Sequence, residues 1–367
     1  MDKNTVKTSF GKYVNVMNLE NLAVPIQEMD RYTKKYSFES YLHFMIYAHL
    51  NEIDSLRALE DALINKNLQA QLGFETLSVS QLSRKHRAID SDVLAAIFAE
   101  LSMRIKGKSG PTKFGKPLYL IDSSTITLNK DQFPWASFRT TKSGVKLHLR
   151  LVFMDDNHQF PDQAVITPAL EHDNNQLDIL MDEKDVMYVF DRGYMDFERF
   201  DELCREGYTF LTRIKKNTVV TEVEACPVED SPRIKSDRVV RLGSFQKMMD
   251  AEMRVIEVWD TKHNLLRLTT NDMETPAETL AEMYRNRWQI ELFFRWIKQH
   301  VTIKRFFSFD EEAAQNQIYI ALITFCLLVL HSQETQSKLS PLKVARRLKA
   351  LIWQSCQEWK EALRSVP

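Results

Sequence analysis

Two aspartates stand directly after short apolar runs, where a folded chain could bring them together. Asp122 follows Leu118–Ile121, and Asp191 follows Val186–Phe190. Such runs are typical of buried strands, and side chains at the carboxyl edge of an α/β sheet commonly line ligand sites. A single aspartate after a strand is more often a turn or N-cap residue. The two aspartates therefore carry weight only as a pair, and only with a partner elsewhere in the chain.

Glu291 is the candidate partner, on a segment predicted to be helical from about 276 to 300. Most of the second half of this helix is apolar, which predicts a largely buried helix whose single polar stripe faces a cleft or a partner. Salt bridges at i,i+4 spacing, joining Glu291 to Arg287 and Arg295, explain the same stripe equally well. The polar stripe appears when successive residues are placed 100° apart around the helix axis. Four residues then lie within about 60° of one another: Tyr284, Arg287, Glu291 and Lys298.

Together, Asp122, Asp191 and Glu291 suit a hard divalent cation. Such cations take oxygen ligands and leave coordination positions open for water and phosphate. Two such ions can activate an attacking oxygen and stabilise a leaving oxygen during an in-line displacement. The pattern therefore predicts metal-dependent phosphodiester chemistry. His172 and Asp173 add nothing to this set and are interpreted as loop and helix-cap residues.

The surrounding pattern predicts an α/β fold. The segment Val145–Leu151 alternates apolar and polar residues, which predicts a half-buried strand. Strands followed by helices indicate a sheet with a helix-covered face. The run Ile318–Leu330 is shorter than the roughly 20 residues a bilayer span needs, so a buried core helix is favoured. The predicted organisation is an amino-terminal helical region (1–106), a linker (107–111), a first core part (112–215), a β-rich insertion (216–272), a second core part (273–335) and a helical tail (336–367).

Composition points to an ordinary globular protein. Hydrophobic residues make up 44% of the 367 residues, and the formal net charge is -1. Positive charge is local: residues 111–150 hold seven Lys/Arg against two Asp/Glu, so a polyanion would meet patches rather than the whole surface. The four scattered cysteines form no C-x-x-C pair, and the polar amino terminus resembles no signal peptide. We expect a reducing, cytoplasmic location.

Three motifs resemble those of the DDE transposases of bacterial insertion sequences. They are Asp122-Ser-Ser-Thr125, Asp191-Arg-Gly-Tyr194, and Tyr284-x2-Arg287-x3-Glu291-x6-Lys298. The last is similar to the Y-R-E-K signature of the IS-four group. The resemblance implies a ribonuclease H-like core with a β-rich insertion before the glutamate. It also implies two Mg²⁺ ions, with Mn²⁺ as a substitute, held by the three carboxylates.

The resemblance further implies that Tyr284, Arg287 and Lys298 hold phosphates of the transposon end. It implies a hairpin intermediate, then strand transfer into target double-stranded DNA within a homodimeric synaptic complex. Arg295 flanks the same stripe. Relatives trap a flipped base against tryptophan, and Trp259 and Trp288 are the candidates here, although such aromatics more often pack in a core.

Two further groups of residues are candidate DNA contacts. Lys146 and His148 lie on the predicted basic strand and resemble a DNA-facing stretch of such enzymes. Arg84 and Arg87 belong to a predicted basic helix, 81–87, with Ser80 as its N-cap; a helix of this kind could read terminal inverted repeats. A solvated helix face is an equally good explanation of the second group.

Three functions fit these patterns. The first is a cut-and-paste transposase, which the intact carboxylate triad favours. The second is a related metal-dependent nuclease without strand transfer, since both would use the same chemistry. The third is a DNA-binding regulator without catalysis, for which decay of the triad would be expected; Asp122, Asp191 and Glu291 are all present.

Overall fold

A large mixed sheet forms the centre of the protein. The computed structural model describes residues 8–109, 112–139, 142–155, 158–228, 231–300, 303 and 305–364, so part of the predicted linker at 107–111 and the last three residues of the tail lie outside it. The described residues contribute ten strands to one sheet. These are β1 (Leu118–Leu128), β2 (Ser137–Arg139), β3 (Lys142–Phe153), β4 (Gln159–Pro168), β5 (Met187–Phe190), β6 (Thr209–Arg213), β7 (Val220–Ala225), β8 (Ile234–Leu242), β9 (Met253–Trp259) and β10 (Leu265–Thr270).

The sheet has two halves that meet at β6. In the first half β4, β3 and β1 are antiparallel neighbours, and β5 and β6 follow as parallel strands. In the second half β10, β9, β8 and β7 continue the sheet as antiparallel strands, with β10 paired to β6. The strands predicted in the segment 216–272 are therefore present, and they extend the same sheet.

Strand β1 differs from the prediction that it would end at Asp122. It continues to Leu128 because β3 pairs with it along its whole length, from Leu118 opposite Phe153 to Leu128 opposite Ser143. Strand β5 is only four residues long, and of β1 it pairs only with residues 118–121. Asp122 therefore lies within β1, at the point where β1 loses its parallel neighbour.

Strand β3 differs from the prediction of a half-buried strand. Its apolar side chains are buried, and so are His148 and Arg150 from the polar side of the alternation. The reason is that other polar groups cover that side. His148 bonds to Thr167 of β4 at 2.9 Å, and Arg150 bonds to Asp162 at 2.7 Å.

Helices cover the sheet and continue the core at both ends of the chain. The long α12 packs against α7, α3 and β4, while α11 packs against β1. The amino-terminal helices thus share a hydrophobic core with the later segments. The helices are α1 (Ser9–Val14), α2 (Ala23–Asp30), α3 (Phe38–Leu50), α4 (Leu56–Asp61), α5 (Lys66–Leu72), α6 (Val79–Arg87), α7 (Ser91–Gly107), α8 (Leu177–Leu180), α9 (Phe197–Glu206), α10 (Ala277–Asn286), α11 (Trp288–His300), α12 (Glu311–Glu334), α13 (Pro341–Ala350) and α14 (Cys356–Arg364).

The helix α12 confirms the prediction of an apolar core helix. It is the one helix of the described residues that is long and apolar enough to cross a membrane, and 89% of its most apolar stretch is buried inside the protein. Its partners are other helices and β4 of the same chain. Burial within the protein therefore accounts for its composition.

Two helix boundaries differ from the predictions. The basic helix α6 begins at Val79, and its N-cap is Ser78, not Ser80, because Ser78 and Gln81 form a reciprocal capping box. The helix predicted over 276–300 is interrupted at Arg287. There the backbone N–H of Arg287 bonds to the carbonyl of Tyr284 at 3.1 Å, a tighter turn than an α-helix makes.

Candidate active site

Three elements bring the predicted carboxylates to one place. Asp122 lies on β1 just beyond the end of β5, Asp191 follows β5, and Glu291 lies on the first turn of α11, which packs against β1. The carboxylate of Asp191 accepts a hydrogen bond from the N–H of Arg192 and caps a short 3₁₀ turn, Arg192–Tyr194. Asp122, Asp191 and Glu291 are called the carboxylate cluster below. Each is partly buried.

Arg287 is the positive charge within the carboxylate cluster. Its guanidinium lies 2.6 Å from Glu291 and 3.7 Å from Asp122, and its side chain is 14% exposed. Its charge also interacts with Asp191. The predicted i,i+4 salt bridge between Arg287 and Glu291 therefore forms. It belongs to the carboxylate cluster, whereas Arg295 is exposed.

The carboxylates repel one another in a partly desolvated space. Burial is the main cause that raises the pKa of Asp122 to about 6, and the charges of Asp191 and Glu291 raise it further. The N–H of Ser123 and the guanidinium of Arg287 act in the opposite direction. Such a carboxyl is stabilised by any additional cation placed beside it.

The fit of a metal follows from the donor set. Carboxylate oxygens from three elements are the ligands that hard divalent cations take. Within the described ranges, no three His, Cys, Asp or Glu side chains already stand together as a ready metal-binding group. The carboxylate cluster therefore has the chemistry for divalent cations but not the ligand geometry.

Lys298 lies on the same face of α11 as Glu291. Its ammonium group donates to the hydroxyl of Ser124 at 2.7 Å and to the carbonyl of Thr125 at 2.9 Å. Both acceptors lie on the part of β1 beyond Asp122. Lys298 thus joins α11 to the strand that carries Asp122.

A cavity of about 430 Å³ adjoins the carboxylate cluster and is called the tryptophan cavity below. Trp259 and Trp288 line it together with Asp191, Tyr284 and several arginines. The two tryptophans are 36% and 49% exposed, so neither is a core residue. The ring of Tyr284 lies 5.9 Å from the Arg287 guanidinium.

Three arginines that line the tryptophan cavity, Arg213, Arg233 and Arg285, are not among the site residues that the sequence predicts. Arg213 ends β6, which is the parallel neighbour of β5, so the strand-end rule that found Asp191 also applies to it. Arg233 precedes β8 and pairs with Glu278 at 3.4 Å. Nothing in its sequence neighbourhood marks it as part of a site.

The other predicted DNA contacts lie away from the carboxylate cluster or inside the protein. Arg84 and Arg87 are exposed on α6, as a DNA contact requires. His148 is fully buried, and Lys146 donates to the carbonyl of Glu171 at 2.7 Å. The positions of Lys146 and His148 therefore give their assignment as DNA contacts no support.

The chain is similar to transposases along most of its length. It is 28% identical over 341 residues to a protein of Geobacillus stearothermophilus named as the probable transposase of insertion sequence element IS5377, covering 91% of this chain and 87% of the relative. It is 32% identical over 216 residues to y4zB of Sinorhizobium fredii, also named as a transposase, covering 58% and 60%. A Synechocystis protein named for insertion sequence element IS4SA is 24% identical over 293 residues, covering 76% and 79%.

Two protein families match parts of the chain. Residues 4–75 match a domain family of unknown function. Residues 113–327 match the family described as transposase DDE domain. That match contains β1, β5 and α11, which carry the carboxylate cluster. Because it covers more than half of the 367 residues, the chain belongs to the DDE transposases of insertion sequences.

Proposed function

We propose that this transposase cleaves the ends of an insertion sequence and joins the freed 3′-hydroxyl groups to target DNA. The observation that carries the proposal is the convergence of Asp122, Asp191 and Glu291 around the single guanidinium of Arg287. The family generally uses divalent metal ions, and an all-oxygen donor set suits them. We assign Asp122, Asp191 and Glu291 to two Mg²⁺ ions, with Mn²⁺ as a substitute.

The strand arrangement supports a ribonuclease H-like core. Three antiparallel strands (β4, β3, β1) continue into two parallel strands (β5, β6), and the aspartates lie on the central strand and at the end of its parallel neighbour. In this proposal the segment 216–272 is the β-rich insertion. Residues 1–106 are the helical DNA-binding region, 112–215 and 273–335 are the two core parts, and 336–367 is the tail.

When bound, the two metal ions would activate the attacking oxygen and stabilise the leaving oxygen. The protein's own groups bind and orient the DNA. Arg287 can exchange a carboxylate for a phosphate oxygen, because its planar guanidinium suits both. Tyr284 lies beside it, and Lys298 places a third donor about two turns beyond Glu291 on α11.

The tryptophan cavity is assigned to a base flipped out of the transposon end. A flipped base needs an aromatic face for stacking and polar groups at its edge. Trp259 and Trp288 supply the faces, and Arg213 and Arg233 supply donors. A homodimeric synaptic complex in the cytoplasm would then bring two ends to one target.

The first test uses purified protein and a labelled duplex carrying the DNA that flanks the gene. We expect Mg²⁺-dependent cleavage at the element boundary, absent in EDTA and lost in Glu291→Ala while binding persists. Glu282→Ala is the matched control, because Glu282 lies on α10 and pairs with Lys113 at 2.7 Å. Normal cleavage by Glu291→Ala, or by Asp191→Ala, would contradict the proposed mechanism.

A second assay separates transposition from simple hydrolysis. Duplexes with pre-cleaved 3′ ends are incubated with a supercoiled target plasmid, and joined products are measured. Joining supports the transposase. Cleavage without joining would favour a related nuclease, and tight binding without cleavage in Mg²⁺ or Mn²⁺ would favour a non-catalytic regulator.

A further inference from the structure

Asp173 lies beside the part of β1 that carries Asp122. It is the first residue of a 3₁₀ turn, Asp173–Gln176, between β4 and α8. The sequence predicts a loop or helix-cap residue at this position, but the carboxylate contacts side chains of β3 instead. It lies 3.3 Å from the ammonium of Lys146 and 3.3 Å from the Nδ1 atom of His148.

The two β3 side chains nearest to Asp173 are themselves fixed by other contacts. His148 is fully buried, and its Nε2 atom bonds to Thr167 of β4 at 2.9 Å. The Lys146 ammonium also donates to the carbonyl of Glu171 at 2.7 Å. Both residues lie on β3, the strand paired with β1. The carboxylate of Asp173 is therefore held against β3 by a short network of polar contacts.

Ser123 connects this network to the carboxylate cluster. It stands opposite His148 in the β1–β3 register, and its hydroxyl interacts with the carboxylate of Asp173. Its backbone N–H donates to the carboxylate of Asp122 at 2.8 Å. Burial would raise the pKa of Asp173, but His148, Ser123 and Lys146 together lower it to about 2. Asp173 is thus an anion whose partners include the neighbour of Asp122.

The same turn also reaches the second aspartate. It packs against the 3₁₀ turn Arg192–Tyr194, which Asp191 caps. The buried hydroxyl of Tyr194 makes no hydrogen bond to the described residues, and burial together with the charges of Asp122, Asp173 and Asp191 raises its pKa. Strand β3 pairs with β1 along its whole length, but beyond the end of β5 no strand of the described sheet pairs with the other edge of β1.

We propose that Asp173 is a positioning residue that sets the spacing between the carboxylates of Asp122 and Asp191 through Ser123. The proposal rests on the assignment of those aspartates to divalent cations. Groups that orient metal ligands typically change metal affinity by about 10- to 100-fold when they are removed. Asp173 acts through Ser123, whose backbone N–H donates to Asp122, and through the contact of its turn with the turn that Asp191 caps.

The test measures Mn²⁺ binding to the full-length protein without DNA, by calorimetry and by the paramagnetic resonance of free Mn²⁺. Asp173→Asn should raise the dissociation constant for Mn²⁺ roughly 10-fold or more. Ser123→Ala, a smaller change that keeps the backbone N–H, should raise it similarly. The double variant should be no weaker than the weaker single variant, because both changes break one connection.

Asp178→Asn is the matched control, since Asp178 is a 61% exposed carboxylate on the neighbouring α8 that pairs with Arg199. It should bind Mn²⁺ like the wild type. Unchanged Mn²⁺ binding in Asp173→Asn, or effects of Asp173→Asn and Ser123→Ala that multiply, would overturn the proposal. Unchanged binding in Asp122→Asn would instead overturn the metal assignment itself, and Asp173 would lose its proposed role with it.

Discussion

The carboxylate cluster and the tryptophan cavity share Asp191, and Arg287 contacts the first and lines the second, but the two regions are built in different ways. The cluster stands on paired strands and a packed helix, and its charges contact one another at short range. The cavity is lined by half-exposed aromatic rings and arginines from strand ends and loops. Rigid, mutually dependent charges suit chemistry that fails when one group is lost. Exposed faces suit binding that weakens by degrees.

Arg287 belongs to both regions, and its replacement should have the largest effect. Arg287→Lys keeps one positive charge but not the planar fork that reaches Glu291 and Asp122 together. Loss of one preorganised donor costs roughly 10²- to 10³-fold in rate. We expect a fall of that size in the cleavage rate constant, measured under single-turnover conditions.

The control for this change is Arg295→Lys, because Arg295 is exposed on α11, the helix that follows Arg287, and a lysine retains its charge. It should cleave at nearly the wild-type rate. Normal cleavage by Arg287→Lys would show that the double contact of Arg287 with Glu291 and Asp122 is not required for cleavage.

Burial of the charged Asp122 beside two other carboxylates should appear as a cost to folding. The pKa of Asp122 is about 6 in the folded protein, mainly through burial, against about 3.9 for an unfolded aspartate. The folded state therefore binds the proton more tightly, and the unfolding free energy falls as pH rises from about 4 to 6. At pH 8 in EDTA, Asp122→Asn should be more stable than the wild type by on the order of 2 kcal/mol.

Urea unfolding at pH 8 and at pH 4 measures this difference, which should nearly vanish at the lower pH because Asp122 is then protonated. Asp131→Asn, at an exposed position beyond β1, is the control and should leave stability unchanged at both values. An equal gain at pH 4 and pH 8 would show that the charge of Asp122 is not its cause.

The same contrast separates what the sequence could predict from what it could not. Asp122, Asp191 and Glu291 were found because strand ends and helix periodicity are local patterns. Arg213 could have been found by the same rule, since β6 runs parallel to β5. Arg233 could not, because its place at the cavity depends on long-range pairing of the inserted strands.

Burial of polar residues was the main error. The alternation of Val145–Leu151 predicts a strand with one solvent-exposed face, yet His148 and Arg150 on that face are buried. Their partners Asp173 and Asp162 are distant from them in sequence, so no local pattern announces the network. The length of β1 beyond Asp122 was missed for a related reason, because only its pairing with β3 defines where it ends.

Trp288 tests the other side of the comparison. Stacking of a base on an aromatic ring is worth about 1–3 kcal/mol. Trp288→Ala should therefore weaken binding of the transposon end by roughly 5- to 150-fold, while Trp288→Phe should recover most of the loss. Fluorescence of 2-aminopurine at the terminal positions reports whether a base is flipped.

The control for Trp288 is Phe245→Ala, because Phe245 is 96% exposed in the loop after β8 and does not line the cavity. It should bind and flip normally. Normal flipping by Trp288→Ala together with Trp259→Ala would exclude the tryptophan cavity as the base pocket.

The smallest effect is expected far from both regions, on α6. Arg84 and Arg87 are exposed, whereas Lys85 between them is 11% exposed and pairs with Asp30 at 2.6 Å. If Arg84 and Arg87 contact phosphates, replacing both by alanine should lower the salt dependence of DNA binding, the slope of log K against log salt concentration, by about 2. Cleavage of bound DNA should be unchanged. Lys85→Met should instead reduce the free energy of unfolding and leave that slope unaltered, because its charge is already used within the protein. An unchanged slope in the double variant would identify α6 as an ordinary solvated helix face. The carboxylate cluster and the tryptophan cavity would then remain as the candidate DNA contacts.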